Sequence, residues 1–150
     1  MPVRVLILNG ANLNMLGIRE PELYGKTTLA EVEVNCRAAA KAAGLAMEFR
    51  QTNHEGQLID WVQEARGKAD AIVINPAGSS FHSVALLDAL KTFEGPVIEL
   101  HVTNIHARDR AHRHSIISQG VKGVICGLGA DGYVVAIQAV ARMFAKPAPG

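Results

Sequence analysis

Residues 71–90 read AIVINPAGSSFHSVALLDAL and combine an apolar run, a polar loop and a second apolar segment. Residues 71–74 are entirely apolar, which predicts a strand buried on both faces, as in a parallel sheet. The loop 75–83 is rich in Asn, Gly, Ser and His, and a helix is predicted for residues 83–93. A strand that leads into a helix through a short polar loop is the repeating unit of an α/β fold.

The same alternation extends in both directions from this unit. Strands are also predicted at residues 3–8, 46–51, 96–100 and 121–126. Further helices are predicted at 28–43, from a cap at Asn53 to Gly67, and at 132–145. Five strands alternating with helices predict an α/β fold of the flavodoxin-like type, with a parallel sheet in the order 2-1-3-4-5 and helices on both faces. Residues 1–150 are interpreted as one catalytic domain, with residues 146–150 a frayed tail.

The composition excludes several classes of protein. The chain of 150 residues has a formal charge of +1 and is 49% hydrophobic and 19% charged. This profile is typical of a soluble globular protein and gives no support for nucleic-acid binding, which usually requires a basic excess. No apolar run reaches the length of a membrane span, and the N-terminus lacks a signal-peptide pattern. Two distant cysteines outside any CxxC motif favour free thiols and a cytoplasmic location.

Polar residues are concentrated in three loops. In a sheet of this order, ligands bind at the carboxyl ends of the strands, near the switch point formed by strands one, three and four. The loops that follow these strands, residues 9–25, 75–83 and 101–115, hold five of the six histidines and much of the Asn and Arg. The first is far longer than the usual connection of about four to six residues. These loops therefore predict a functional site, although a chance distribution is the structural alternative.

Several kinds of chemistry do not fit these loops. They contain no cysteine nucleophile, no GxSxG elbow and few carboxylates for a Mg²⁺ site. The histidines within residues 106–114 have no standard zinc spacing, and a solvated basic face is the alternative for that segment. GLGADG, residues 127–132, matches GxGxxG, but the chain ends before the acidic residue of a dinucleotide-binding unit. Its glycines are interpreted as turn and close-packing residues, and no metal or cofactor is expected.

The remaining inventory of Tyr, His, Arg and Asn suits proton transfer. Tyrosine ordinarily has a pKa near 10, and a neighbouring guanidinium favours the phenolate, so Arg19 and Tyr24 of the first loop could form a base. Asn side chains can stabilise an enolate, and a histidine can protonate a leaving hydroxyl. The structural alternatives are a packed aromatic for Tyr24, turn residues for Asn12 and Asn75, and a core histidine for His101.

Six segments resemble the type II 3-dehydroquinate dehydratases. In chain order they are LNGANLNMLGIREPELYG, QTNHEGQLIDWVQEA, INPAG, SVALLDAL, ELHVTNIHAR and GVICGLGADGY. Their order and spacing carry the resemblance from about residue 5 to residue 138. The resemblance implies a flavodoxin-like fold, a twelve-chain assembly built as a tetramer of trimers, and a lyase that needs no cofactor. The implied reaction is the reversible anti dehydration of 3-dehydroquinate to 3-dehydroshikimate through an enolate.

The resemblance also implies roles for individual residues. Tyr24 would take the proton beside the ketone, with Arg19 on a mobile lid as its activator. Asn12 would hold a water that stabilises the enolate, and His101 would protonate the departing hydroxyl. Asn75 and Glu99 would position these groups, and the backbone N–H groups of Val102 and Thr103 would bind the substrate carboxylate. Asp88 would reach the site of a neighbouring subunit, and Arg108 would support the site.

Five positions, in three places along the chain, depart from the pattern of the resembled family. Phe81 stands where His is common and His82 where Thr is common. Ala111 and His112 stand where Phe and Arg are common, and Leu87 replaces a common Arg. His112 is still expected to be among the substrate-binding residues. Arg113 and His82 are expected to bind substrate too and to compensate for the lost polar contacts, with Arg113 contributing more because of its longer reach.

Two other readings remain beside this lyase. The first is a related cofactor-free dehydratase that acts on a different hydroxylated cyclic keto acid. The second is a non-enzymatic flavodoxin-like regulator or binding protein. A receiver domain would need acidic residues after the first strand, and a flavin site would need stacking aromatics, whereas aromatic residues make up only 5% of the chain.

Overall fold

A computed structural model of the chain describes residues 1–146. The strands are β1 (Arg4–Asn9), β2 (Ala46–Gln51), β3 (Ala71–Asn75), β4 (Val97–His101) and β5 (Gly123–Cys126). The helices are α1 (Pro21–Tyr24), α2 (Leu29–Ala43), α3 (Glu55–Glu64), α4 (Val84–Leu90) and α5 (Asp131–Met143). The strands form one parallel sheet in the order β2-β1-β3-β4-β5, which confirms the predicted flavodoxin-like order.

Two hydrophobic layers cover the sheet, because successive side chains of a strand point to opposite faces. Val5 and Ile7 of β1 belong to the layer that also contains buried residues of α2 and α5. Leu6 and Leu8 belong to the other layer, with buried residues of α3 and α4. All five residues of β3 and of β4 are buried. The central strands are therefore fixed on both faces, and their carboxyl ends provide a rigid base for the loops.

The local signals at the helix ends are mostly confirmed. Thr28 and Glu31 form a reciprocal capping box at the start of α2, and Gly44 ends this helix in the left-handed conformation, with φ +73°. The prediction that Asn53 caps the next helix is wrong, because α3 begins after His54 without a side-chain cap. The Asn53 Oδ1 atom instead accepts a hydrogen bond from the backbone N–H of Asn12 at 2.9 Å. Asn53 therefore anchors the first long loop.

Close backbone contacts join the loops that follow β1 and β3. The backbone N–H of Gly10 donates to the Asn75 carbonyl at 2.8 Å. A Cβ atom on Gly10 would lie 2.6 Å from the Pro76 carbonyl oxygen, so only glycine fits there without a shift of the backbone. This contact holds the two loops together at the base of the pocket described below.

The glycines of residues 127–132 are turn and packing residues, as predicted. Gly127 and Gly129 have φ values of +86° and +65°, and Gly132 lies against the Leu100 side chain. Both cysteines are free thiols, and burial raises the pKa of the Cys36 thiol to about 12. Within residues 1–146, no helix combines the length and apolar character required to cross a membrane. The predicted frayed tail falls almost entirely on residues 147–150, which lie outside the described residues.

Candidate active site

The three polar loops meet in one pocket at the carboxyl ends of β1, β3 and β4. The sheet order predicted that these three loops lie together, and this arrangement confirms it. The pocket is lined by Ala11, Asn12, Leu13, Arg19, Tyr24, Asn75, Ala77, Gly78, Phe81, His101, Val102, Thr103, Ile105, Arg108 and His112.

The first loop has a defined structure of its own. A 3₁₀ turn spans Leu13–Met15, and the carbonyl of Met15 then accepts hydrogen bonds from the backbone N–H groups of Ile18 and Arg19. Pro21 occupies the first position of α1, where its missing N–H costs nothing. These turns bring Tyr24, the last residue of α1, back to the sheet edge. The long first loop therefore places Tyr24 in the pocket.

Two arginines contact the Tyr24 side chain. The Arg108 Nη1 atom donates a hydrogen bond to the Tyr24 hydroxyl at 2.7 Å. The Arg19 guanidinium carbon lies 4.8 Å from the centroid of the Tyr24 ring, and Arg19 pairs with Glu20 at 3.4 Å. Arg19 therefore lies over the ring face, whereas the direct partner of the hydroxyl is Arg108. Both side chains therefore place positive charge beside the phenol group.

His101 is held by a buried carboxylate. The His101 Nε2 atom makes a short hydrogen bond with the Glu99 Oε2 atom, and the Ser118 hydroxyl donates to Glu99 Oε1 at 2.6 Å. Glu99 is fully buried and His101 is 5% exposed. Burial pushes the pKa of the Glu99 carboxyl upward, but the hydrogen bonds from His101 and Ser118 outweigh it and keep the pKa below its ordinary value. The Glu99 carboxylate therefore fixes the orientation of the His101 imidazole.

The two asparagines occupy different environments. Asn12 is exposed at the pocket edge in the left-handed conformation, with φ +71°. Asn75 is buried, and its Nδ2 atom donates to the Tyr133 hydroxyl at 3.0 Å. Sequence reasoning missed Tyr133, because its position in the apolar pattern of α5 gives no indication of a polar contact at the distant end of β3.

Two backbone amides also border the pocket. Val102 and Thr103 directly follow β4, and both residues are buried. Within residues 1–146, neither backbone N–H donates a hydrogen bond to a protein acceptor. Adjacent N–H groups of this kind are suitable donors for a small anionic group.

The residues of the pocket offer no metal cage. Among residues 1–146, no three His, Cys, Asp or Glu side chains are grouped so that they could hold a metal ion. The polar groups described above instead provide a phenol, an imidazole, a carboxylate and amide donors. This set is suited to proton transfer and to the binding of an anion.

Comparisons with known proteins agree on one family. The family model described as dehydroquinase class II matches residues 3–141 of the chain. The chain belongs to this family.

Individual relatives show how far the similarity extends. The chain is 54% identical over 140 residues to 3-dehydroquinate dehydratase 2 of Agrobacterium fabrum, covering 93% of this chain and 95% of the relative. It is 56% identical over 137 residues to the 3-dehydroquinate dehydratase of a Caulobacter species, covering 91% and 93%. The crystal structure of the type II dehydroquinase from Propionibacterium acnes is similar with a TM-score of 0.91 and 39% identity, covering 95% and 98%.

One wall of the pocket is aromatic. The Phe81 ring stacks on the His101 ring with centroids 6.1 Å apart, and meets the His112 ring edge-on at 5.6 Å. The His112 Nδ1 atom lies 2.9 Å from Asp109 Oδ1, and this hydrogen bond lowers the pKa of the Asp109 carboxyl. Phe81 therefore places an apolar ring between the two histidines.

Other predicted site residues lie outside the pocket lining. His82 and Asp88 are exposed and do not line it. Arg113 is also exposed, and its Nε atom donates to the Arg108 carbonyl at 3.0 Å. Leu87 is buried in the core beside α3 rather than near the pocket. Arg113 thus contacts the loop behind the pocket, and its predicted role as a substrate contact remains a prediction.

Proposed function

We propose that the protein is a hydro-lyase that catalyses the reversible anti dehydration of 3-dehydroquinate to 3-dehydroshikimate through an enolate. Membership of the dehydroquinase family and the names of relatives at about half sequence identity support the reaction class. The single observation that carries the mechanism is the hydrogen bond from Arg108 to the Tyr24 hydroxyl, in the pocket that also contains His101.

Tyr24 is the base of the first step. As a phenolate it removes the proton from the carbon beside the ketone, and the electron pair of that C–H bond forms the enolate. Arg108 donates a hydrogen bond to the phenol oxygen, and Arg19 adds a second positive charge over the ring. Arg19 lies on the long first loop, which would close over the bound substrate as a lid.

The enolate oxygen needs a donor while it carries negative charge. Asn12, at the pocket edge, would hold a water that donates a hydrogen bond to this oxygen. Asn75 would bind the substrate with the part of its amide that remains free. Polar donors fixed before the reaction stabilise the developing charge without reorganising during it.

His101 is the acid of the second step. The enolate electrons re-form the ketone and expel the ring hydroxyl, which takes a proton from His101 and leaves as water. Glu99 keeps the imidazole oriented through its short hydrogen bond with Nε2. The proton gained by Tyr24 and the proton lost by His101 balance over one turnover.

The substrate carboxylate would bind the N–H groups of Val102 and Thr103. This assignment is supported by the two buried residues at the end of β4, whose N–H groups have no protein acceptor within residues 1–146. Arg108 and Arg19 add positive charge to the same pocket. The reaction as proposed moves only protons and one C–O bond, so the mechanism calls for neither a metal ion nor an organic cofactor.

The assembly and location belong to the same proposal. Asp88 is exposed on α4 and would contribute to the site of a neighbouring subunit in a dodecamer built as a tetramer of trimers. Two free cysteines are compatible with a cytoplasmic location of the protein.

A second candidate is a related dehydratase that prefers a different hydroxylated cyclic keto acid. The aromatic wall formed by Phe81 and His112 favours this candidate, because Phe81 offers no hydrogen bond to a ring hydroxyl. A buried hydroxyl without a partner typically costs about 1–3 kcal/mol of binding, or roughly a tenfold to hundredfold loss of affinity. His82 and Arg113 would have to move into the pocket to compensate. If Arg113 does so, Arg113→Ala raises KM more than His82→Ala.

Formation of the conjugated product from 3-dehydroquinate tests both candidates. The purified protein should show a rise in ultraviolet absorbance with saturable kinetics. Turnover of 3-dehydroquinate that is much poorer than turnover of an analogue lacking one ring hydroxyl would favour the second candidate. Failure to dehydrate either compound would refute the proposed function.

A further inference from the structure

A buried hydrogen-bonded chain runs beneath the pocket, across the ends of two neighbouring strands. Asn9 and Asn75 are the last residues of β1 and β3 and are paired in the sheet register. The Tyr133 hydroxyl of α5 donates to Asn9 Oδ1 at 2.7 Å and accepts from Asn75 Nδ2 at 3.0 Å. Asn9 Nδ2 in turn donates to the Arg50 carbonyl at 3.1 Å. The chain therefore links α5 to three strands.

The chain fixes which way the Asn75 amide points. Asn9, Asn75 and Tyr133 are at most 3% exposed, so each polar atom depends on its protein partner. Because the Tyr133 hydroxyl uses its own hydrogen for Asn9, it can only accept from Asn75. Asn75 Nδ2 must therefore face Tyr133, and its Oδ1 atom accepts a hydrogen bond from the Ala77 N–H at 3.2 Å.

The second contact of the Asn75 amide supports a strained turn. Ala77 has φ +53°, a strained conformation that residues with a Cβ atom rarely adopt. Ala77 and Gly78 line the pocket next to Asn75, and Phe81 ends the same 3₁₀ turn. The orientation of one amide thus affects both a pocket donor and the backbone of the pocket wall.

We propose that Tyr133 is a positioning residue, which sets the Asn75 amide and the Ala77 turn without touching the substrate. Tyr133 does not line the pocket, and of its two partners Asn9 and Asn75 only Asn75 lines it, so Tyr133 acts on the pocket through Asn75. This inference rests on the proposed function, in which Asn75 binds the substrate. Removal of the Tyr133 hydroxyl leaves Asn75 Nδ2 without its partner, and the amide is then free to rotate.

The kinetic test is a double-mutant cycle. Tyr133→Phe is expected to lower kcat/KM about tenfold, mainly by raising KM, because small displacements of binding groups reduce productive binding. In the Asn75→Ala background, Tyr133→Phe should cause no further loss, because its target is gone. An unchanged kcat/KM in Tyr133→Phe, or the same tenfold loss in both backgrounds, would overturn the proposal.

Ser83→Ala is the matched control. The Ser83 hydroxyl is also buried and has two partners, since it donates to Glu55 and accepts from the Leu86 N–H. It lies outside the pocket lining, so its removal should lower the melting temperature as Tyr133→Phe does while leaving kcat/KM unchanged. Equal kinetic losses in both variants would mean that general destabilisation explains the effect.

Hydrogen exchange at Ala77 separates this inference from the proposed function. The Ala77 amide should exchange faster in Tyr133→Phe than in the native protein or in Ser83→Ala, because its acceptor on Asn75 is no longer fixed. This measurement needs no substrate, and it also covers the case in which the double variant does not fold. Unchanged exchange at Ala77 in Tyr133→Phe would refute the positioning role. A native protein without dehydratase activity would refute only the function.

Discussion

Replacing Arg108 with alanine should slow the enzyme more than replacing Arg19. The Arg108 guanidinium donates directly to the Tyr24 hydroxyl at 2.7 Å, whereas Arg19 lies 4.8 Å from the ring centroid and is paired with Glu20. A hydrogen bond to a charged group contributes about 1.5–3 kcal/mol, which corresponds to roughly a 10- to 150-fold change in rate. A cation–π contact at an exposed site contributes about 0.5–1 kcal/mol, or roughly a two- to fivefold change.

Steady-state kinetics of Arg108→Ala, Arg19→Ala and the control Arg110→Ala over a range of pH measures this difference. Arg110 is an exposed arginine of the same loop that does not line the pocket, so its variant has the same change in charge without the contact. Because Arg108 contacts the hydroxyl directly and Arg19 contacts only the ring, kcat should fall in both variants across the pH range, and most in Arg108→Ala. A loss below threefold in Arg108→Ala, together with a loss above tenfold in Arg19→Ala, would show that Arg19 is the main activator.

Three further predictions follow from the pocket and its surroundings. Phe81→His combined with His112→Arg should lower KM for 3-dehydroquinate about tenfold by restoring polar contacts, and an unchanged KM would show that the aromatic wall does not limit binding. Because the pKa of Glu99 is lower in the folded protein, its contribution to stability should be complete above pH 4.5, its ordinary pKa, and decline as the pH falls below this value. Chemical denaturation of the native protein and of Glu99→Gln should therefore show a stability difference that narrows in acid, whereas a difference independent of pH would contradict the role of the Glu99 charge. Light scattering should detect a particle far larger than 16.0 kDa, and a fully active monomer would exclude a site shared through Asp88. The activity of this particle should survive exhaustive EDTA treatment.

The sheet was predictable because its strands have a simple physical signature. Strands buried on both faces are rich in apolar residues, and each observed strand begins and ends within two residues of its predicted range. The strand order then identified the loops after β1, β3 and β4, since parallel strands bring their carboxyl ends to one edge. The family resemblance supplied the individual roles of Tyr24 and His101, which residue patterns alone left open beside structural alternatives.

Contacts between distant side chains were not predictable from these patterns. Asn53 has the residue type of a helix cap, but its side chain binds the first loop instead. Tyr133 fits the apolar pattern of α5, and only the packing of that helix on the sheet brings its hydroxyl to Asn75. Likewise, Arg108 and Tyr24 are 84 positions apart in the chain, and only the folding of their two loops onto each other makes Arg108 the partner of the Tyr24 hydroxyl.

The Tyr24 hydroxyl is the proposed base of the dehydration. The most direct test is the rate of conjugated-product formation from 3-dehydroquinate by Tyr24→Phe, compared with the native enzyme at equal concentration. Since general base catalysis contributes about 10²- to 10⁴-fold, kcat should fall by at least 100-fold while the circular dichroism spectrum and melting temperature remain native. A Tyr24→Phe enzyme with the native kcat would contradict the account.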